Sequence, residues 1–146
     1  MAKQINIFIE NRPGRLSSIT EILAENNVNI RSFIIQDRGD FGLIKMIVDK
    51  PKQAHLILAD RGLACAVKDI IAVAISDKPG NLHKLTKKLS ENGFNVVDAH
   101  GFVLEPNKKG ICCIEVKETA QFEKINQLLS HEGFEILQDQ QLYDLE

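Results

Sequence analysis

The sequence predicts an α+β protein built of two tandem βαββαβ units, each an antiparallel sheet with both helices on one face in the ferredoxin-like arrangement. Three observations predict it. Residues 10–16 read Glu-Asn-Arg-Pro-Gly-Arg-Leu and residues 76–82 read Ser-Asp-Lys-Pro-Gly-Asn-Leu, an offset of 66 (79 − 13). The same offset pairs Leu16 with Leu82, Ile19 with Leu85, Leu23 with Leu89, Asn26 with Asn92 and Asn29 with Asn95. In both copies a period-two apolar stretch leads into Pro-Gly, and apolar residues at helical spacing follow it.

In the first copy, Ile5, Ile7 and Ile9 alternate with Asn6 and Phe8 and predict a strand. Pro13 presets φ and Gly14 permits a positive φ, so the pair suits a tight turn into a helix. Leu16, Ile19, Leu23 and Asn26 follow at helical spacing, with Ile22 widening the stripe and Asn26-Asn27 ending it. Val28 to about Gln36 is a second strand, residues 37–40 a hairpin turn, and Leu43 to Val48 a third strand. Pro51 opens a second helix, because its missing N–H leaves nothing unpaired there, and Gly62 stops it. Cys65 to about Lys68 is a fourth strand.

The second copy repeats the order. Ile71, Val73 and Ile75 predict a strand, and Pro79-Gly80 turns into a helix carrying Leu82, Leu85 and Leu89 that Gly93 stops. Phe94 to Leu104 and Ile111 to Val116 are strands joined by a hairpin at residues 106–110. Phe122, Ile125, Leu128 and Leu129 mark a helix stopped by Gly133. Phe134 to about Gln138 is the last β segment, which Leu142 and Tyr143 extend. The expected domains are residues 1–68 and 69–146, joined rigidly because no Gly, Ser or Pro separates them. A unit of about 70 residues is marginal alone, so the two are expected to pack together and the chain to form a homodimer.

Both faces of the predicted sheets are apolar. Phe8 points away from Ile5, Ile7 and Ile9, and Leu43 and Ile47 oppose Ile44, Met46 and Val48. A sheet-on-sheet contact, with the other unit or another chain, is the expected cover. The formal charge of −2, from 18 basic and 20 acidic residues, offers no bulk attraction for nucleic acid or an anionic membrane. No apolar run reaches membrane-spanning length, and the N-terminus lacks a signal-peptide layout. An odd count of 3 cysteines fits a reduced, cytoplasmic protein.

The strand followed by Asn-Arg-Pro-Gly-Arg-Leu, a helix and Asn-Val-Asn-Ile resembles the ACT-domain family, and Asp77 to Leu82 with Gly93 to Val96 fits the same pattern. The resemblance spans the chain as two ACT domains. It implies a non-catalytic regulatory protein that binds a free amino acid at interfaces between paired domains and acts on a partner enzyme of amino-acid metabolism. It places ligand contacts on Asn11 and Asn29, and on Asp77 and Asn95, with the backbone close to the ligand at Gly14 and Gly80. The candidate loops are therefore Asn11, Arg12, Pro13, Gly14, Arg15 and Leu16, and Asp77, Lys78, Pro79, Gly80, Asn81 and Leu82. Some serine-binding members carry His two residues before the loop Asn, where this chain has Ile9 and Ile75; that departure argues against serine recognition of that type.

The physics of such a site is simple. A carboxylate finds unpaired N–H groups and a positive potential at the first turn of a helix. An ammonium finds acceptors in the Asn11 and Asn29 amides or the Asp77 carboxylate and Asn95 amide. Asp77 is charged where Asn11 is not, so the two sites are expected to differ. The same residues also serve as ordinary caps and turn formers. Arg12 and Lys78 read first as solvated surface charge, with attraction of a carboxylate as the second reading.

His55, His83, His100 and His131 show no metal-ligand spacing, Cys112-Cys113 reads as small core filling, and no catalytic set or cofactor motif emerges. Two other functions remain open. One is an interaction scaffold without a ligand. The other is an RNA-binding module of the same strand order, although Ile111 and Cys113 stand where stacking aromatics are needed.

Overall fold

The computed structural model describes residues 1–10 and 12–144. The elements run in order: β1 (Ala2–Ile9), α1 (Arg15–Glu25), β2 (Ile30–Asp37), β3 (Gly42–Val48), α2 (Pro51–Asp60), β4 (Ala64–Ser76), α3 (Asn81–Glu91), β5 (Val96–Glu105), β6 (Lys109–Val116), α4 (Phe122–His131), β7 (Glu135–Leu137) and α5 (Asp139–Tyr143), all but α5 as expected. A short 3₁₀ turn at Thr119–Gln121 leads into α4. β4 is 13 residues long, so the expected fourth and fifth strands are one continuous strand.

The chain divides into two compact units. The N-terminal unit is Lys3–Lys68 with Tyr143 and Asp144, and the C-terminal unit is Asp69–Leu142 with Met1 and Ala2. Strand order is β2-β3-β1-β4 in the first and β5-β6-β4-β7 in the second. Both are antiparallel in the pairings β1–β3, β2–β3, β4–β6, β5–β6 and β4–β7.

Alternation on the strands and helical spacing on α1–α4 build one core per unit. In the N-terminal unit, Ile5, Ile7, Ile44, Met46 and Val48 pack with Ile19 and Leu23 of α1 and Ala54 and Leu58 of α2. In the C-terminal unit, Ile71, Val73, Cys112, Ile114 and Val116 pack with Leu85 and Leu89 of α3 and Phe122, Ile125 and Leu129 of α4. Each such side chain contributes roughly 1.5–3 kcal/mol by leaving water. The opposite faces are also shut from solvent: Leu43, Lys45 and Ile47 are buried, as are Ile70, Ala72, Ile111 and Cys113. Phe8 is different. It stands exposed at the end of β1, its ring 6.4 Å from that of Phe41.

One expected element is corrected. Leu142 and Tyr143 do not extend the last strand; they close α5. Both side chains are buried, although adjacent residues of a strand point to opposite faces. The Gln141 side chain accepts the Gln138 backbone N–H at 2.9 Å, half of a capping box that starts a helix there. The Tyr143 hydroxyl accepts the Lys3 N–H at 3.0 Å, and its carbonyl accepts Arg31 Nε at 2.9 Å.

Candidate functional site: a cleft between α3 and β5

The Pro-Gly turns behave alike in both units. Gly14 has φ 90° and Gly80 φ 91°, a left-handed conformation that only glycine adopts without strain. Each glycine is the N-cap of its helix, and neither α1 nor α3 has a side-chain cap. Among the described residues no Ser, Thr, Asn or Asp oxygen caps these first turns, while the Arg15 and Asn81 N–H groups donate to the Arg12 and Lys78 carbonyls.

Beside the second turn lies a cleft of about 800 Å³, open on one side. Its helix wall is Leu82, Leu85 and Leu89, and its strand wall is Ala99, Gly101 and Val103 of β5. Ser76, Asp77 and Lys78 stand at its loop end, beside the start of α3, and Asn95 lines the opposite end, where α3 has finished and β5 begins. Register explains the strand wall. Ala99 pairs with Ile114 and Gly101 with Cys112, both core residues, so these positions face α3. His100 and Phe102 pair with Cys113 and Ile111 and turn to the other face, where their rings stack 6.4 Å apart.

The loop is tied by its own chain. The Lys78 N–H donates to Ser76 O at 2.9 Å, the Asn81 N–H to Lys78 O at 3.2 Å, and Asn81 Nδ2 to Ser76 O at 2.9 Å. Asp77 is aimed by the β5–β6 hairpin: its N–H donates to Lys108 O at 3.1 Å, and its Oδ2 accepts the Asn107 N–H at 2.8 Å. Of the candidates named from the second copy, Asp77, Lys78, Leu82 and Asn95 line the cleft, whereas Pro79, Gly80 and Asn81 do not.

The first copy is placed differently. Asn11 lies outside the described residues. Arg12 and Arg15 both direct a guanidinium to the Glu10 carboxylate. Pro13 and Gly14 are exposed, and Leu16 is half-buried against the core. Asn29 makes two backbone hydrogen bonds with Asp49: its N–H donates to Oδ1 at 2.9 Å, and its carbonyl accepts the Asp49 N–H at 3.0 Å.

Ala99 and Gly101 were not among the expected site residues. The repeat carried the signal, since the offset of 66 maps Phe33 onto Ala99 and Ile35 onto Gly101, two large residues onto two small ones. Burial pushes up the pKa of the Cys65 and Cys112 thiols, and burial together with the neighbouring Cys112 charge pushes Cys113 to about 12. Among the described residues no group of three or more His, Cys, Asp or Glu could hold a metal ion. Among the described residues no helix is long and apolar enough to cross a membrane.

The comparisons with known proteins agree with this architecture. The family model described as an ACT domain pair matches residues 1–146. A protein of Bacteroides thetaiotaomicron with a crystal structure is similar at 30% identity and TM-score 0.90, over 99% of this chain and 96% of that one. The regulatory subunit of aspartate kinase from Thermus thermophilus, in its ligand-free form, shares the fold at 17% identity and TM-score 0.65, over 90% and 92% of the two chains. Aspartate kinase from Synechocystis does so at 19% identity and TM-score 0.58, over 89% of this chain and 24% of that one. No curated protein sequence matches. With two βαββαβ units, paired Pro-Gly turns and a family match over its full length, the chain belongs to the ACT domain pair family.

Proposed function

We propose that this ACT domain pair is a non-catalytic regulatory protein that binds a free amino acid in the cleft between α3 and β5. One observation carries the reading: an apolar cleft stands beside a helix start without a side-chain cap, with the Asp77 carboxylate at the same end. The first-turn amides suit a carboxylate, the Asp77 carboxylate suits an ammonium, and the leucine wall suits a side chain. The likeness to a regulatory subunit of aspartate kinase supports a regulatory role.

The ligand would change association, either between two copies of this chain or with an enzyme of amino-acid metabolism. It does so only by binding one arrangement better than another. The test is isothermal titration of the full chain with each common amino acid, followed by sedimentation with and without the binder. Saturable heat from at least one amino acid and a change in assembly are expected. Silence from all of them removes the sensor reading.

A scaffold without a ligand is the second reading. The hydrogen bond from Asn107 to Asp77 favours it, because that bond gives Asp77 a purely structural duty. The RNA-binding alternative has less support, since Ile111 and Cys113, where stacking aromatics would be needed, are both buried.

A further inference from the structure

The two units present the same helix wall and different strand walls. Leu16, Ile19, Thr20 and Leu23 of α1 match Leu82, Leu85, Thr86 and Leu89 of α3 through the repeat. On the strand side, Phe33 pairs with Met46 and Ile35 with Ile44, so both are on the helix-facing side of the N-terminal sheet. They stand 54% and 40% exposed, as large side chains on the edge strand. The matching positions of the C-terminal unit hold a methyl group at Ala99 and a hydrogen at Gly101. The space that two large side chains claim in one unit is cleft in the other.

We propose that the amino acid is held by the C-terminal unit alone, one per chain, and that it carries a large apolar side chain. This deepens the reading of the cleft given above and rests on it. The argument is one of volume and polarity. A cleft of about 800 Å³ lies within the range of about 300–1,000 Å³ typical of small-ligand sites. The charged side chains facing it are confined to its loop end, at Asp77 and Lys78. Beyond the loop end the walls are Leu85 and Leu89 on the helix, with the Thr86 and Ser90 hydroxyls between and beside them, and Ala99 and Gly101 on the strand. An aliphatic or aromatic side chain there gains the transfer free energy of its apolar surface, whereas an ammonium or carboxylate loses water with no opposite charge beside it and finds only the Thr86 and Ser90 hydroxyls. Gly101 is held small for a second reason: a Cβ on it would lie 3.3 Å from the Ile111 carbonyl oxygen. Ala99 is therefore the position that sets the depth of the compartment.

The experiment is calorimetric titration of the full chain with L-leucine, L-isoleucine, L-methionine and L-phenylalanine, against L-serine, L-lysine and L-aspartate. At least one of the apolar four should bind about tenfold or more tightly than any of the other three, at one per chain. Ala99→Phe installs the residue that the first copy carries and should weaken that binding at least about tenfold. Phe33→Ala should leave affinity and stoichiometry as they are. If Ala99→Phe does not fold, Ala99→Val reads the same effect as a smaller loss of about threefold. Two equivalents per chain, tightest binding of a polar amino acid, or unchanged affinity in a folded Ala99 variant overturns this inference and leaves the amino-acid sensor standing. No binding of any amino acid overturns both.

Discussion

Asp77 meets two demands with one carboxylate. Its Oδ2 accepts the Asn107 N–H and so fixes the hairpin beside the cleft, while the group as a whole adds a negative charge to the cleft's loop end. The two duties can be separated. Asp77→Asn keeps an acceptor oxygen for Asn107 and removes the charge, giving the second copy the residue type that the first has at Asn11. A charge-assisted hydrogen bond to an ammonium is roughly twice as strong as a neutral one. Asp77→Asn should therefore weaken the binding amino acid by about tenfold while leaving the urea midpoint nearly unchanged, as titration and denaturation together would read. Equal affinity would assign Asp77 to the hairpin alone. The residue itself was legible from its place before Pro79-Gly80. Its partner was not, because Asn107 is 30 residues away and only the pairing of β5 with β6 brings it near.

The helix starts tell a similar story one level up. Pro-Gly predicted the turns at both α1 and α3, and the local physics holds in each: glycine at positive φ, then apolar residues at helical spacing. A Cβ added at Gly14 or Gly80 would meet nothing within 4 Å, so a substitution there costs backbone strain and no clash. Gly14→Ala and Gly80→Ala should each lower stability by about 1–2 kcal/mol in urea unfolding. Only Gly80→Ala should also weaken amino-acid binding, because α3 borders the cleft; matched effects of the two variants on binding would contradict that. The strands were legible for a different reason, the alternation of Ile5, Ile7 and Ile9 or Ile71, Val73 and Ile75 against a single core. α5 was not legible. Leu142 and Tyr143 look like a continuation of β7 until tertiary hydrogen bonds from Lys3 and Arg31 to Tyr143 are seen. The cleft was missed because small residues on an edge strand give no periodic signal, and only their contrast with Phe33 and Ile35 reveals them.

Cutting the sequence between Lys68 and Asp69, where the repeat suggests, separates pieces that the fold uses together. The C-terminal unit includes Met1 and Ala2, and the N-terminal unit includes Tyr143. Ala2 is 1% exposed, and the Met1 ammonium lies 2.8 Å from the Asp139 carboxylate. Tyr143 is 5% exposed and supplies both the hydroxyl that accepts the Lys3 N–H and the carbonyl that accepts Arg31 Nε. Each of those bonds contributes about 0.5–1.5 kcal/mol net, and losing a buried aromatic side chain costs several more. Against the marginal stability of a unit of about 70 residues, those losses are decisive. A fragment of residues 1–68 forfeits Tyr143, and a fragment of residues 69–146 forfeits the N-terminal ammonium and Ala2. Both fragments should melt well below the full chain, and the first should recover part of its stability when residues 139–144 are appended through a flexible linker. Calorimetric melting of the three proteins decides it. A 1–68 fragment as stable as the full chain would mean that the terminal residues are passengers and that the duplicated segments are self-sufficient folding units.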